Sequence, residues 1–147
     1  MMFTSEIIEE YFNALETKLL EGVRVKFKAN RKWAGLINFK SGVYLVFKKG
    51  KPYYIGESAD IGARMKDLTD TRNHTLRRKI GARYFNNQIG FEKANSSRKF
   101  NDIIEQQVNN WMEENLEVAF MEVNLGRREF EEWMIIKHSL EQKSKRE

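Results

Sequence analysis

Two tyrosines and an arginine follow one another at intervals of ten residues in the stretch SGVYLVFKKGKPYYIGESADIGARMKDL, residues 41–68. A guanidinium carries a permanent positive charge and planar donors that match the oxygens of a phosphate. A phenol is a poor base at neutral pH because its pKa is about 10, but a neighbouring cation makes its anion more accessible. Tyr44, Tyr54 and Arg64 could therefore act together on a bound anion. Each of them considered alone has a structural explanation, since tyrosines favour strands and a helical arginine is ordinarily solvated.

The positive charge of the chain is concentrated around this stretch. The chain has 147 residues and a formal net charge of +5. Residues 22–51 carry nine basic residues and no acid, and residues 61–100 carry ten basic and three acidic residues. Both ends are acidic, with a net charge of −4 over residues 1–21 and −5 over residues 101–147. Such clustering favours binding of a polyanion, nucleic acid above all, although a solvated lysine-rich surface is the ordinary alternative.

The first 42 residues predict a helix followed by a basic segment. Apolar residues recur at helical spacing from Phe3 to Leu19, with glutamates between them, which predicts an amphipathic helix over residues 5–20 that ends at Gly22. The segment VRVKFKA then alternates apolar and basic residues, so it is either a short half-exposed strand or an extended arm. The segment NRKWAGLINFKSG is predicted as a loop.

A β-hairpin is predicted to hold the two tyrosines. Val43–Phe47 is almost wholly apolar, as in a central strand covered on both faces. The tripeptide KKG at residues 48–50 fits a three-residue turn with glycine in its last position, where positive φ is needed. With that turn Tyr44 lies directly opposite Tyr54 on the same face of the sheet, within about 5 Å at Cβ. Pro52 cannot donate to a strand ladder, so the second strand is expected at a sheet edge.

Two helices and a loop are predicted after the hairpin. Ser58 or Asp60 can cap a helix over residues 60–68, and Asn73 can cap a second helix with the sequence HTLRRKIGARYF. The following segment, NNQIGFEKANSS, is polar and rich in asparagine, which predicts a mobile loop.

The last third of the chain predicts a long helix, a strand and a final helix. Ser97 is expected to start a helix that runs to about residue 114, and LEVAFMEV is expected to form a third strand. Gly126 precedes the final helix, predicted over residues 127–141. The whole pattern indicates an α+β fold in which a small three-stranded antiparallel sheet is flanked by helices, with an extra N-terminal helix.

Composition excludes several classes of protein. The chain has no cysteine, so neither a disulfide framework nor a thiolate zinc site is expected. No run of about 18 apolar residues occurs, and the N-terminus lacks the basic region of a secretory signal. We therefore expect a cytoplasmic protein that has no membrane contact and that would associate with the nucleoid in a bacterium. The length favours one compact domain.

Two short motifs in the hairpin resemble those of the GIY-YIG nuclease superfamily. GVY at residues 42–44 is followed by YIG at residues 54–56, with valine in place of isoleucine in the first motif. Arg64 falls where that family keeps an arginine on its first helix. The resemblance extends over about residues 40–140, which divides the chain into an N-terminal helix and basic arm (1–39), a nuclease-like domain (40–142) and a frayed tail (143–147).

The resemblance also assigns a carboxylate and a histidine. Glu132 falls where the family keeps a metal-binding glutamate, because Ile135 and Ile136 then stand where the family has aliphatic residues. Its neighbours Glu129 and Glu131 are the alternatives. Several branches of the family have a histidine after the arginine, and the candidate here is His74, although His74 could simply begin a helix.

The family resemblance implies a metal-dependent endonuclease that hydrolyses DNA phosphodiester bonds and leaves 5′-phosphate and 3′-hydroxyl ends. Glu132 would hold Mg²⁺ or Mn²⁺, and Arg64 would hold the phosphate. Tyr44 would be the general base that activates water, while Tyr54 would hydrogen-bond the phosphate, the water or the other phenol. His74 completes the catalytic candidates.

Basic residues around this site are expected to contact the phosphate backbone of DNA, which positions a strand without reading its sequence. The candidates are Lys48, Lys49, Lys51, Arg72, Arg77, Arg78, Lys79 and Arg83. Because no separate DNA-reading domain is evident, specificity would need a homodimer, a partner protein or the polar loop.

Two other functions stay open. The first is a non-catalytic nucleic-acid-binding module that keeps the same fold, although such a module would not need Glu132. The second is a protein–protein adaptor whose basic face is incidental. Within the nuclease interpretation, repair, restriction and other pathways remain alternatives, and so does RNA as the substrate.

Overall fold

A computed structural model describes residues 4–140 and residue 142. It contains six helices and four strands in this part of the chain. In chain order they are α1 (Ser5–Glu21), β1 (Arg24–Lys26), α2 (Arg31–Gly35), β2 (Gly42–Lys48), β3 (Lys51–Ser58), α3 (Ile61–Asp67), α4 (Thr75–Tyr84), α5 (Asp102–Asn115), β4 (Leu116–Glu122) and α6 (Arg127–Lys137). The tail predicted to be frayed, residues 143–147, lies outside the described residues.

Contacts divide the described chain into two compact units. The sheet unit contains the residues up to Val25, Phe39–Ile61 and the residues from Glu117 onward. The helical unit contains Lys26–Asn38 and Gly62–Leu116. No helix among residues 4–140 is both long enough and apolar enough to cross a bilayer.

The sheet has four strands in the order β1-β4-β2-β3, where three strands were predicted. The additional strand is β1, formed by the segment for which a strand was one of two alternatives. The antiparallel α+β fold is otherwise as predicted. Strand β2 lies between two neighbours and six of its seven residues are buried, which confirms the prediction of a central strand. Strand β3, with Pro52, lies at the sheet edge, as also predicted.

Helices α1 and α6 pack against one face of the sheet. Alternate residues of β2, beginning with Val43 and Leu45, belong to the same buried cluster as Phe12 of α1 and Phe130 and Met134 of α6. The helical spacing that predicted α1 therefore marks a true core face, and Thr4 caps this helix by accepting a hydrogen bond from Ile7 N at 3.2 Å. Because side chains alternate along a strand, Tyr44 points away from this cluster.

The hairpin turn differs from the prediction. Lys48 pairs with Lys51, so the loop has two residues, Lys49 and Gly50, and both have positive φ (51° and 80°). These angles are typical of a type I′ turn, whose twist matches that of the flanking strands. The three-residue turn was wrong because Lys48 belongs to the strand and Lys49 adopts the left-handed conformation.

A second irregularity in the hairpin follows at the proline. Phe47 pairs with Pro52 and Val46 pairs with Tyr54, which leaves Tyr53 as an extra residue in β3. A proline has no N–H to give to the ladder, so a bulge is well placed next to it. As a result Tyr44 pairs with Gly56, two residues beyond the predicted partner.

The side chain of Gln142 covers the free edge of β3. Its Oε1 accepts a hydrogen bond from the backbone N of Ile55 at 2.6 Å, and its Nε2 donates to the backbone O of Ile55 at 2.7 Å. The last described residue of the chain is therefore attached to the middle of the second tyrosine motif.

Side-chain caps set the helix starts of the helical unit, and these differ from the predicted boundaries. Asn30 accepts a hydrogen bond from Trp33 N at 2.7 Å and starts α2 where a loop was predicted. Helix α4 is capped by His74, one residue after the predicted cap Asn73. Helix α5 begins after Asn101, five residues later than expected, because Asn101 accepts from Ile104 N at 2.9 Å.

Candidate active site

The two motif tyrosines lie side by side on one face of the hairpin. Tyr44 is opposite Gly56 and Tyr54 is opposite Val46, so the tyrosines are diagonal neighbours across the two strands. Their ring centroids are 6.3 Å apart and the ring planes differ by 27°. The prediction that they share a face is confirmed, and the prediction that they lie directly opposite is wrong.

The glycine of the second motif makes room for the tyrosine of the first. A Cβ built on Gly56 would overlap the ring and the hydroxyl of Tyr44. The Tyr44 side chain is 1% exposed, whereas Tyr54 is only half-buried. Tyr44 is therefore enclosed by the protein, whereas Tyr54 is partly accessible to solvent.

Two neighbouring carboxylates on α6 differ in exposure. Glu131 is 5% exposed, and Glu132 is half-buried. Glu132 was chosen from the sequence because Ile135 and Ile136 follow it. These two residues differ in exposure, since Ile135 is buried and Ile136 is 69% exposed. The residues at the same spacing after Glu131, Met134 and Ile135, are both buried. Glu131 therefore stays an alternative to Glu132, with apolar residues at the same spacing.

A metal ion at α6 would have few protein ligands. Residues 4–140 and 142 contain no group of three or more Asp, Glu, His or Cys side chains able to hold one. A cation bound there would take a single carboxylate and keep most of its waters, an arrangement that suits Mg²⁺. Glu132 fits this requirement in being a carboxylate that is partly accessible to solvent.

Arg64 lies on α3 in the helical unit and is partly exposed. Its Nη1 donates to the backbone O of Asn73 at 3.0 Å and to Asp67 Oδ2 at 3.2 Å. The side chain is 29% exposed and that of Asp67 is 39% exposed, so the ion pair is accessible to solvent. A phosphate that binds Nη1 would displace Asp67 from it.

His74 caps α4 and is fully buried. Its Nδ1 accepts a hydrogen bond from Leu76 N at 3.1 Å, so in the neutral imidazole the proton is on Nε2. The alternative given by the sequence, that His74 begins a helix, is what the structure shows. Its catalytic role stays a prediction.

The catalytic candidates are thus distributed over both units. Tyr44, Tyr54 and Glu132 belong to the sheet unit, and Arg64 and His74 belong to the helical unit.

Lysines occupy the tip of the hairpin as predicted from the sequence. Lys49 and Lys51 are exposed beside the turn. The ammonium of Lys48 lies 5.4 Å from the centre of the Tyr53 ring and is partly covered. Their contact with phosphate stays a prediction.

Arg77 corrects one of the predicted phosphate contacts. It is 1% exposed, and its guanidinium donates to Glu105 Oε1 at 3.1 Å, Asn109 Oδ1 at 2.7 Å and Thr71 Oγ1 at 3.2 Å. Burial lowers the pKa of Arg77, and the charge of Glu105 opposes this shift. Arg77 was predicted as a phosphate contact because of its charge, and this prediction is wrong. The side chain instead joins α4 to α5 and is too buried for a phosphate to reach.

The other predicted phosphate contacts between residues 72 and 83 remain accessible to solvent. Arg72, Lys79 and Arg83 are exposed, and Arg78 is half-buried. Arg72 binds Asp70 through two hydrogen bonds of 3.1 and 2.9 Å, and these lower the pKa of Asp70 to about 2.

A family model described as the GIY-YIG catalytic domain matches residues 38–141, which is more than half of the chain. No curated protein and no solved structure matches.

Proposed function

Because the chain belongs to the GIY-YIG family and the matched region is its nuclease-type catalytic domain, we propose that it is a divalent-metal-dependent endonuclease that hydrolyses DNA phosphodiester bonds. The observation that carries this proposal is the stacked pair Tyr44 and Tyr54, with the Tyr44 ring seated over Gly56. The match includes both motifs and the helix with the candidate carboxylates.

In this proposal each side chain has one task. The phenolate form of Tyr44 takes the proton of the attacking water on Oη and becomes a neutral phenol, and a nearby positive charge makes this phenolate more accessible. Tyr54 hydrogen-bonds the phosphate or the attacking water. Arg64 exchanges its contact with Asp67 for a phosphate oxygen and neutralises the charge that develops there. The products are 5′-phosphate and 3′-hydroxyl ends.

The carboxylate that holds the cation is Glu132 in this proposal. Mg²⁺ or Mn²⁺ bound there would supply positive charge to the phosphate. Glu131 is the second candidate, because the two residues that follow it at the same spacing, Met134 and Ile135, are apolar and buried. Replacing each glutamate in turn by glutamine decides between them. Only the replacement of the metal ligand should raise the metal concentration that cleavage needs.

The basic residues outside the site are proposed to bind the DNA backbone. Residues 26–38 carry four basic residues and no acid, and the hairpin tip adds Lys49 and Lys51. Such contacts do not read sequence. Specificity would then come from a homodimer or a partner protein, as in a repair or restriction pathway.

Incubation with Mg²⁺ or Mn²⁺ and a panel of plasmid, single-stranded, flap and branched DNA tests the activity, with RNA as the competing substrate class. We expect cleavage of DNA that chelation of the metal abolishes. Tyr44→Phe and Arg64→Ala should each abolish cleavage while the circular dichroism spectrum stays that of the wild type. Full activity in either variant would refute the role assigned to that residue.

A non-catalytic nucleic-acid-binding module is the second candidate function. The observation that favours it is the 1% exposure of Tyr44, since a general base must reach a water. DNA binding without cleavage of any substrate in the panel, at every metal tested, would support the binding module. Cleavage that Tyr44→Phe removes would exclude it.

A further inference from the structure

Arg127, the first residue of α6, joins that helix to the borders of both tyrosine motifs. Its Nε donates to Glu57 Oε2 at 2.8 Å, and its Nη1 donates to Ser41 Oγ at 3.0 Å. Ser41 directly precedes the first motif, and Glu57 directly follows the second. One guanidinium therefore contacts the residue at the outer border of each motif.

These contacts extend to the end of a third strand. Ser41 Oγ donates to the backbone O of Val123 at 3.3 Å, and Val123 N donates to the backbone O of Ser41 at 3.1 Å. Across the hairpin, Val43 pairs with Glu57. The ends of β2, β3 and β4 and the start of α6 thus meet at Arg127.

An arginine at the first position of a helix does not stabilise that helix. The N-terminus of a helix carries partial positive charge, which disfavours a cation in the first turn. Gly126, which precedes Arg127, provides no side-chain cap. The carboxylate of Glu57, which is 10% exposed, compensates the charge of Arg127 in a partly buried site.

We propose that Arg127 is a positioning residue that sets where the carboxylates of α6 stand relative to Tyr44 and Tyr54. Glu131 begins the next turn, about 6 Å along the helix axis, and Glu132 follows it. A tilt of the first turn of α6 displaces both carboxylates from the hairpin that carries the phenols. A displacement of about 1 Å can slow catalysis by about a hundredfold. This inference rests on the proposed function.

The geometry requires arginine specifically. Two donors that point in different directions are needed to reach Glu57 and Ser41 together, and a lysine ammonium cannot reproduce that fixed fork. Other contacts keep α6 folded without it, because Phe130 and Met134 lie in the core and Tyr11 Oη donates to Leu125 O at 2.7 Å just before the helix.

The test compares Arg127→Lys with Arg128→Lys. Arg128 is adjacent to Arg127, its side chain is 69% exposed, and its Nε lies 3.7 Å from Glu57 Oε1. Its replacement by lysine is therefore the same change of side chain, but it leaves the contacts of Arg127 with Glu57 and Ser41 intact. We expect Arg127→Lys to lower the single-turnover cleavage rate at saturating DNA by about tenfold or more and to leave the dissociation constant for DNA unchanged. Mn²⁺ binding, followed by electron paramagnetic resonance, should weaken in parallel. Arg128→Lys should match the wild type in all three measurements.

Two results would overturn the proposal. The first is a cleavage rate within about twofold of the wild type in Arg127→Lys. The second is weaker DNA binding with a normal rate at saturation, which would make Arg127 a phosphate contact. In a double-mutant cycle with Glu57→Gln, the effects should be strongly non-additive if the two residues act through each other, and additive effects would count against the proposal.

A readout without activity separates this proposal from the proposed function. If the wild type neither cleaves DNA nor binds Mn²⁺, the proposed function fails. The NMR signals of ¹³C-labelled tyrosine then decide about Arg127. Shifts of the Tyr44 and Tyr54 signals in Arg127→Lys but not in Arg128→Lys support the positioning role, and unchanged signals in both refute it.

Discussion

A contact between side chain and backbone fixes the residue type at position 56. The Tyr44 ring occupies the space where any Cβ at this position would stand. The glycine of the second motif is therefore explained by the tyrosine of the first, which is 1% exposed. Packing in the hairpin makes the two motifs one structural feature.

Gly56→Ala should displace the Tyr44 ring. Overpacking of this kind costs about 1–3 kcal/mol, so we expect the free energy of unfolding in urea to fall by that amount, together with a loss of cleavage. Gly35→Ala is the matched control, because no atom lies within 4 Å of a Cβ built there and Gly35 ends a helix. Equal stability of the two variants would contradict the assignment.

Some single residues could be predicted from the sequence and others could not. The common face of Tyr44 and Tyr54 follows from strand alternation. Their register does not, because a left-handed Lys49 shortens the turn and an extra residue at Tyr53 lengthens β3, and neither feature has a strong local signal. The burial of Arg77 was predictable in part, since helical spacing places residue 77 beside Ile80 on the apolar face of α4.

At the scale of elements, buried ionic groups hold pairs of helices. In the helical unit Arg77 of α4 binds Glu105 of α5, and Glu105 also accepts from Thr71 Oγ1 at 2.8 Å and from Phe100 N at 3.0 Å. In the sheet unit Glu16 of α1 binds two residues at the end of α6. Each carboxylate thus contacts groups on a second helix, and such a pair becomes costly when one partner is removed.

Arg77→Met should destabilise the helical unit. Removing one partner of a buried ion pair leaves the other charge uncompensated, which costs about 3–5 kcal/mol. Urea unfolding measures this loss, and Arg83→Met on the exposed side of the same helix should change stability by less than about 0.5 kcal/mol. Adding Glu105→Gln to Arg77→Met should recover part of the loss, and a further loss would contradict this explanation.

The contacts of Glu16 with Lys137 and His138 make the stability of the folded state depend on pH. Burial raises the pKa of Glu16, but hydrogen bonds of 2.6 Å to Lys137 Nζ and to His138 Nε2 outweigh it and lower the pKa below 4.5. A lowered pKa stabilises the folded state fully above the ordinary value of 4.5, and this stabilisation is lost as the pH falls below it.

Glu16→Gln should therefore lower the free energy of unfolding by about 1–2 kcal/mol at pH 7, since hydrogen bonds to a charged group are lost. The difference between wild type and variant should shrink as the pH falls from 4.5 downward. Urea titrations at pH 7, 5, 4 and 3 would show this convergence. Glu10→Gln, at an exposed position of α1, is the control, and a difference independent of pH would refute the role of Glu16.

At the scale of the whole molecule, charge is distributed unevenly along the chain. The lysines of the hairpin tip are exposed, and so are basic residues of the helical unit, whereas α1 is acidic. The fold class and the order of most elements followed from the sequence, because hydrophobic periodicity is a property of long segments. Helix α2 was missed because its signal is a single cap, Asn30, and the fourth strand was left open because β1 has only three residues.

Lys49→Ala should weaken DNA binding without changing the rate at saturating DNA. Each phosphate contact contributes about one unit to the slope of log affinity against log salt concentration, so the slope should fall by about one. Fluorescence anisotropy without divalent metal measures this. Lys18→Ala on the acidic helix α1 is the control with the same loss of charge, and equal slopes in the two variants would exclude Lys49 as a phosphate contact.

The amide of Gln142 changes what the edge of β3 offers to another strand. A carboxamide offers one acceptor and a donor in the geometry of a peptide group, so on Ile55 it occupies the place that the backbone of a foreign strand would take. An exposed edge of this kind is a template for self-association. One side chain thus occupies the outward-facing hydrogen-bonding groups of Ile55, in the strand that carries Tyr54.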